Sequence, residues 1–201
     1  GGRAISVPRG KTLGGSSSIN GNVYNRGHRN DFNNWAQRGN KGWGYADILP
    51  YFKKSEMRIG DADEDYRGRD GGLAVTDTDW KHPLCEAFID GAESVGIPRN
   101  KDYNGAVQEG SSYTQRTINK RRRVSSARAF LTPAKSRSNL KIITSAHATS
   151  LIMDGKKATG VRYIKGGRGG SPKAIGARRE VILSGGVINS PQLLQLSGIG
   201  D

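Results

Sequence analysis

Apolar residues are spaced along the chain first with a helical period and later with a strand-like one. In residues 31–37, Phe32 and Trp35 stand three apart and share a helical face, and Gly39 stops the run. Residues 45–56 carry Ile48, Leu49, Tyr51 and Phe52, a second helical segment that Pro50 is placed to interrupt or kink. Residues 83–95 set Leu84, Phe88, Ala92 and Val95 on one face and are followed by Gly96, which predicts an amphipathic helix. Ser125 or Ser126 can cap a further helix through Ala127, Phe130 and Leu131 to Pro133. From Leu140 the pattern changes. Residues 140–144, 148–153, 160–164 and 180–184 read as strands, with Asp154-Gly155 as a turn and residues 166–170 as a flexible hairpin tip. Ser190 as N-cap and Pro191 at the first helical position open a last helix through Leu193, Leu194 and Leu196, ended by Gly198. Strands running through a glycine turn into a helix give a mixed α/β fold class, without internal repeats.

Composition adds that the chain is loop-rich. It has 201 residues, of which 34% are hydrophobic and 29 are glycine, enough for one substantial core or two small ones. Three Trp, seven Tyr and four Phe point to a packed fold. The formal charge of +14 opens the question of an anionic partner, but Lys and Arg are spread along the chain. Only Lys120-Arg121-Arg122-Arg123 forms a run, and it reads as a charged turn between two elements. Cys85 is alone, which excludes an internal disulfide, and its neighbours Leu84, Ala87 and Phe88 make it a buried small hydrophobe. No stretch approaches the roughly 18 apolar residues of a membrane span. A cytoplasmic location is expected, with peripheral membrane association as the alternative. Residues 61–72 are the most loop-like segment, read as a mobile surface loop. Asp61, Asp63 and Asp65 faintly imitate a calcium loop, but Tyr66 fills the place of its obligatory glycine and no terminal Glu closes it, so no metal site is expected.

The chemistry concentrates in residues 10–26, Gly-Lys-Thr-Leu-Gly-Gly-Ser-Ser-Ser-Ile-Asn-Gly-Asn-Val-Tyr-Asn-Arg. Gly14 and Gly15 let backbone approach a ligand closely. Ser16, Ser17 and Ser18 can cap a helix start or bond a phosphate, and Asn20 and Asn22 offer amides that could read the polar edge of a ring. Two generic explanations fail. A P-loop would need glycine where Ile5 stands, and Gly198-Ile199-Gly200 follows a helix rather than opening one, so it is no dinucleotide fingerprint. There is no Gly-x-Ser-x-Gly elbow, and His28, His82 and His147 have no partners at metal-ligand spacing. His28 reads as an exposed turn residue, His82 as a helix start and His147 as a strand start. A second glycine–hydroxyl site, Ser184-Gly185-Gly186 with Asn189-Ser190-Pro191, lies near the other end.

Together these stretches resemble a known family. Residues 8–21 (Pro-Arg-Gly-Lys-Thr-Leu-Gly-Gly-Ser-Ser-Ser-Ile-Asn-Gly), with Tyr24 and Arg26-Gly27, are similar to the first signature of the glucose-methanol-choline (GMC) flavin oxidoreductases. Residues 184–200 resemble the second. Gly42-Trp43-Gly44-Tyr45, the segment Leu49-Pro50-Tyr51-Phe52-Lys53-Lys54-Ser55-Glu56 and Ser125-Ser126-Ala127-Arg128-Ala129-Phe130-Leu131 match between them. The resemblance implies FAD. It assigns Gly14, Gly15 and Ser16 to the pyrophosphate and ribityl chain, Asn20, Gly21, Asn22 and Val23 to the flavin, Ala148 to the adenine, and Gly185 and Gly186 to the nucleotide. Some relatives attach FAD through a histidine where this chain has Ile19, so a non-covalent flavin is implied. Val187 stands where alanine is common.

The resemblance further implies a central fragment: a partial Rossmann-like FAD-binding domain with part of a substrate-binding domain. Residues 1–60 would be an FAD-binding segment, 61–135 part of the substrate domain or lid, and 136–201 a return to the FAD-binding domain. No residue here matches the family's catalytic histidine. The implied whole enzyme oxidises a small-molecule primary alcohol, choline-like, to an aldehyde by hydride transfer to flavin, with an unidentified electron acceptor and no nucleic-acid partner. The alternatives are a basic anion- or nucleic-acid-binding module and a folded but inactive fragment.

Overall fold

The computed structural model describes residues 2–167 and 169–200. The chain divides into two compact units, Gly1–Arg137 and Ser138–Asp201. Both mix helices and strands.

In the first unit, α1 (Arg29–Gln37) starts at His28, whose Nδ1 accepts from the Asn30 N–H at 3.1 Å while the Asp31 carboxylate accepts from the His28 N–H. His28 is therefore a cap rather than a free turn residue. Phe32 and Trp35 share the expected face, with ring centroids 5.3 Å apart. The next helix, α2 (Tyr45–Ser55), runs through Pro50 without ending there. It passes directly into β1 (Glu56–Arg58), which pairs in parallel with β2 (Leu73–Val75).

Residues 59–72 join these parallel strands, and their expectation as a mobile surface loop is corrected. Arg67 is fully buried, and the loop is laced to β1 by Arg58 N–H to Gly68 O and Gly71 N–H to Glu56 O, both 2.8 Å. Gly68 approaches so closely that a Cβ there would sit 1.8 Å from the Lys53 carbonyl oxygen. α3 (Pro83–Ser94) follows, capped by His82. A small hairpin, β3 (Ile118–Asn119) and β4 (Arg122–Arg123), turns on Lys120 and Arg121, as its charge run suggested. A π-helical turn at Ala127–Leu131 leads into α4 (Thr132–Ala134), and Ser125 Oγ accepts from Arg128 N–H at its start. The apolar core is small: Ala74, Val124 and Ala129, with Met57 and Leu73 against it.

The apolar face of α3 is on the surface. Leu84, Phe88 and Val95 are each 74% exposed, and only Ile89 is buried. Cys85 is exposed as well, which corrects its reading as a buried hydrophobe. Periodicity identified the apolar stripe but could not say whether anything covers it. Phe88→Gln is accordingly expected to change the unfolding free energy by less than about 0.5 kcal/mol. Ile89→Ala should cost about 2–4 kcal/mol. Urea denaturation of the two variants checks the contrast.

The second unit is a three-stranded antiparallel sheet, β5 (Ala146–Asp154), β6 (Lys157–Lys165) and β7 (Ser171–Gly176), in that order. The turn at Gly155 and the glycine-rich tip between β6 and β7 lie where expected, although Arg168 is outside the described residues. α5 (Gly186–Gln195) packs on β5, where Ser197 Oγ accepts from the Leu151 N–H at 2.8 Å. Three expectations are corrected. Residues 140–144 and 180–184 form no strand, because no neighbour among the described residues completes a ladder with them. The last helix begins at Gly186, so Ser190 and Pro191 lie inside it.

Candidate functional site

The 14–23 loop is built by turning its own hydroxyls inward. Ser17 Oγ donates to Gly14 O and accepts from the Ser126 N–H at 2.9 Å, and Ser126 Oγ donates to Gly14 O at 3.2 Å. Ser18 Oγ donates to Leu13 O at 2.9 Å. Ser16 Oγ accepts from the Gly10 N–H at 3.2 Å, leaving its hydroxyl proton for another acceptor. The serines thus fold the loop first, and Ser16 alone keeps a donor in reserve.

The glycines divide by what lies beside them. A Cβ on Gly10 would sit 2.2 Å from Gly15 O, and one on Gly14 would meet Ser18 Oγ at 2.6 Å and Ala127. These two are small because the loop closes on itself. At Gly15 and Gly21 a Cβ would meet nothing within 4 Å. These two leave the outer surface open, which is what a cofactor lying along the loop requires.

Further along, Asn20 Oδ1 accepts from the Asn22 N–H at 3.1 Å and from Arg123 Nη1 at 2.7 Å. Arg123 Nη1 also donates to Ser17 O at 3.2 Å. Asn22 has a left-handed backbone (φ 63°), and its carbonyl accepts from the Thr117 N–H at 2.8 Å. Its side-chain Oδ1 is buried without a hydrogen-bond partner among the described residues. Val23, exposed, bridges to Arg116. Holding Arg123 in place takes a hairpin with two non-glycine residues at positive φ, Lys120 at 47° and Arg121 at 61°. Such turns cost about 1–2 kcal/mol per residue, and sequence reasoning saw only their charge.

Behind the loop lies a buried polar network that sequence reading missed. Glu56 is fully buried and receives Arg26 Nη2 at 2.6 Å, the Arg67 guanidinium and the Gly68 N–H at 3.0 Å. Arg67 also reaches Asp102 and, at 3.0 Å, Gln115 Oε1. Burial pushes the Arg67 guanidinium down, but the hydrogen bond and charge of Glu56 outweigh it, and its pKa ends above the ordinary value. Burial raises the Tyr24 phenol, whose oxygen accepts from Arg26 Nε at 3.2 Å. The network fixes the end of the loop through Arg26. The signal available in sequence was that Arg26 and Glu56 both fall inside the family-like stretches.

The remaining candidates lie in the second unit. Ala148 is exposed on β5, paired with Tyr163 just before a bulge. Gly185 precedes α5, and its N–H donates to Ser190 Oγ at 2.9 Å. Gly186 opens α5 at φ 88°. Val187 is 86% exposed and crowds nothing within its unit.

No group of three or more His, Cys, Asp or Glu side chains that could hold a metal ion occurs among the described residues. No helix among them is long and apolar enough to cross a membrane. His28 and His82 serve as helix caps and His147 is exposed on β5.

The chain is 47% identical to an oxygen-dependent choline dehydrogenase of Brucella anthropi over 200 residues, which are 100% of this chain and 36% of that protein. It is 48% identical to the oxygen-dependent choline dehydrogenase of Rhizobium johnstonii over 98% of this chain and 35% of that one. The chain thus spans about a third of the length of the curated relatives it matches. Among solved structures, an FAD-dependent oxidoreductase from Chaetomium thermophilum superimposes with a TM-score of 0.90 at 32% identity, covering 98% of this chain and 36% of that one. Pyridoxine 4-oxidase from Mesorbium loti gives 0.82 at 33% identity, covering 96% and 37%. The family model described as GMC oxidoreductase matches residues 1–201, and the chain belongs to the GMC oxidoreductase family.

Proposed function

We propose that this chain forms one side of an FAD site and that the whole protein oxidises a primary alcohol, choline or a close relative, to the aldehyde. The observation that carries the reading is the open face of the 14–23 loop. Gly15 and Gly21 leave space where a side chain would stand. The choline dehydrogenases that the chain resembles support the substrate class.

Bound FAD supplies the hydride acceptor for the alcohol carbon. The residues of this chain hold and orient it. Gly14, Gly15 and Ser16 take the pyrophosphate and ribityl region, where the free Ser16 proton can be donated. Asn20, Gly21, Asn22 and Val23 line the flavin. In the second unit Ala148 serves the adenine through its backbone, and Gly185 and Gly186 serve the nucleotide. Residues 1–60 and 136–201 then belong to FAD binding, and 61–135 to the substrate side. The alcohol proton goes to a base other than this chain's histidines, two of which are spent on helix caps.

The reading also makes the flavin non-covalent, because Ile19 offers only hydrocarbon where some relatives carry the linking histidine. The full-length protein should purify with flavin absorbance, and acid precipitation should release all of the flavin into the supernatant. A colourless protein that takes up no added FAD contradicts the cofactor. Flavin retained on the precipitate contradicts the non-covalent link.

A further inference from the structure

The two amides of the flavin-facing loop differ in what they can offer a ligand. Asn20 Oδ1 is occupied by two donors, the Asn22 N–H and Arg123 Nη1. Both partners are donors, which fixes this atom as the oxygen and leaves the NH₂ group outward. Asn22 Oδ1 is shut in without a partner among the described residues, so no contact fixes the polarity of that amide. The loop therefore offers a side-chain donor at position 20.

Arg123 sets this polarity. It lies on β4, next to the buried Val124, whose N–H donates to Thr117 O at 2.9 Å. Thr117 in turn binds Asn22 O through both its N–H and its hydroxyl. The hairpin thus clamps the loop at Ser17, Asn20 and Asn22, through two left-handed non-glycine residues that only a firmly determined structure retains.

We propose that Arg123 is a positioning residue for cofactor binding: it holds the Asn20 amide oxygen inward so that its NH₂ donates to an acceptor on the flavin ring. This rests on the FAD reading given above. The nearest alternative role for Arg123, a cation in an anion-binding run, leaves its two contacts to the loop without purpose.

The test uses the full-length enzyme, its FAD dissociation constant, the visible spectrum of the bound flavin and the melting temperature of the apoprotein. In Asn20→Asp the carboxylate still accepts from Arg123 and the Asn22 N–H, but no donor faces outward. Its apoprotein should melt no lower than wild type, while FAD binding weakens at least tenfold and the bound spectrum shifts. Arg123→Met should weaken FAD binding to a similar degree with a spectral shift, and Arg123→Lys, which keeps a donor, should lose less. Wild-type affinity and spectrum in Asn20→Asp overturn the proposal. So does an Arg123→Met variant that loses apoprotein stability and affinity while Asn20→Asp changes neither, since that marks a structural role alone. Wild-type enzyme that binds no FAD overturns the cofactor reading itself and the proposal with it.

Discussion

Glu56→Ala is expected to destabilise the 1–137 unit by about 3–5 kcal/mol, the cost of leaving buried charge without its partner. Glu56 has no exposed surface and is the shared counter-ion of two guanidiniums, Arg26 and Arg67, themselves almost fully buried. Removing the carboxylate leaves both cations in a low-dielectric interior and frees the Gly68 N–H from its side-chain acceptor. Arg67 retains Asp102 and Gln115, which limits the damage on that side. Arg26 loses its carboxylate partner and keeps hydrogen bonds to the Tyr66 carbonyl and Tyr24. The apolar core beside the network is small, so the network adds to the backbone bonds to β1 in holding the 59–72 loop and the Arg26 end of the 14–23 loop. A fall in melting temperature of about 10–17 °C corresponds to this loss for a unit of this size. Glu56→Gln should fall between the two, since it keeps an acceptor and gives up the charge. A loss below about 1 kcal/mol for Glu56→Ala would mean that solvent reaches the network.

The second large effect separates the two kinds of glycine. Alanine at Gly10 places a Cβ 2.2 Å from Gly15 O and 2.7 Å from Ser16 N, and both are backbone atoms that yield only if the loop moves. Forcing such contacts costs about 1–3 kcal/mol. Taken from cofactor binding, that is about five- to 150-fold in affinity. Gly21 is the reverse case. A side chain there meets nothing within 4 Å and no positive φ penalises it, so Gly21→Val should leave the apoprotein's stability within about 0.5 kcal/mol of wild type. The same valine occupies the open face and should weaken FAD binding more than about tenfold.

Much of the architecture was legible because its signals are local. Residues 31–37 and 83–95 carry helix periods stopped by a glycine, and the structure places α1 and α3 there. Of the charge run at 120–123, Lys120 and Arg121 form the expected turn, while Arg122 and Arg123 are the strand β4. The failures share one cause, dependence on a distant partner. Residues 140–144 and 180–184 have strand composition, but a ladder needs a neighbour and none is present among the described residues. The stripe on α3 is apolar as predicted yet exposed, because periodicity describes a face and not its cover. The acidic and basic residues around 61–72 looked solvated, while Arg67 is buried against Glu56, a pairing that composition cannot reveal.

At the site the glycine and amide residues were readable from their types, and their division of labour was not. Gly14 and Gly15 look alike in sequence, but only Gly15 faces open space. Ser17 and Ser18 look like phosphate ligands and are spent on the loop's own carbonyls. Arg123 lies more than a hundred residues from Asn20 and was visible only as charge.

The central claim is that the open face of the 14–23 loop is where FAD lies. The measurement that reaches it most directly is an FAD titration of the full-length wild-type protein and its Gly21→Val variant, with the melting temperature of each apoprotein. The account predicts that wild type binds FAD, and that Gly21→Val melts like wild type but binds FAD more than about tenfold more weakly. Wild-type affinity in Gly21→Val would contradict it, because a cofactor unaffected by a side chain there does not lie on that face.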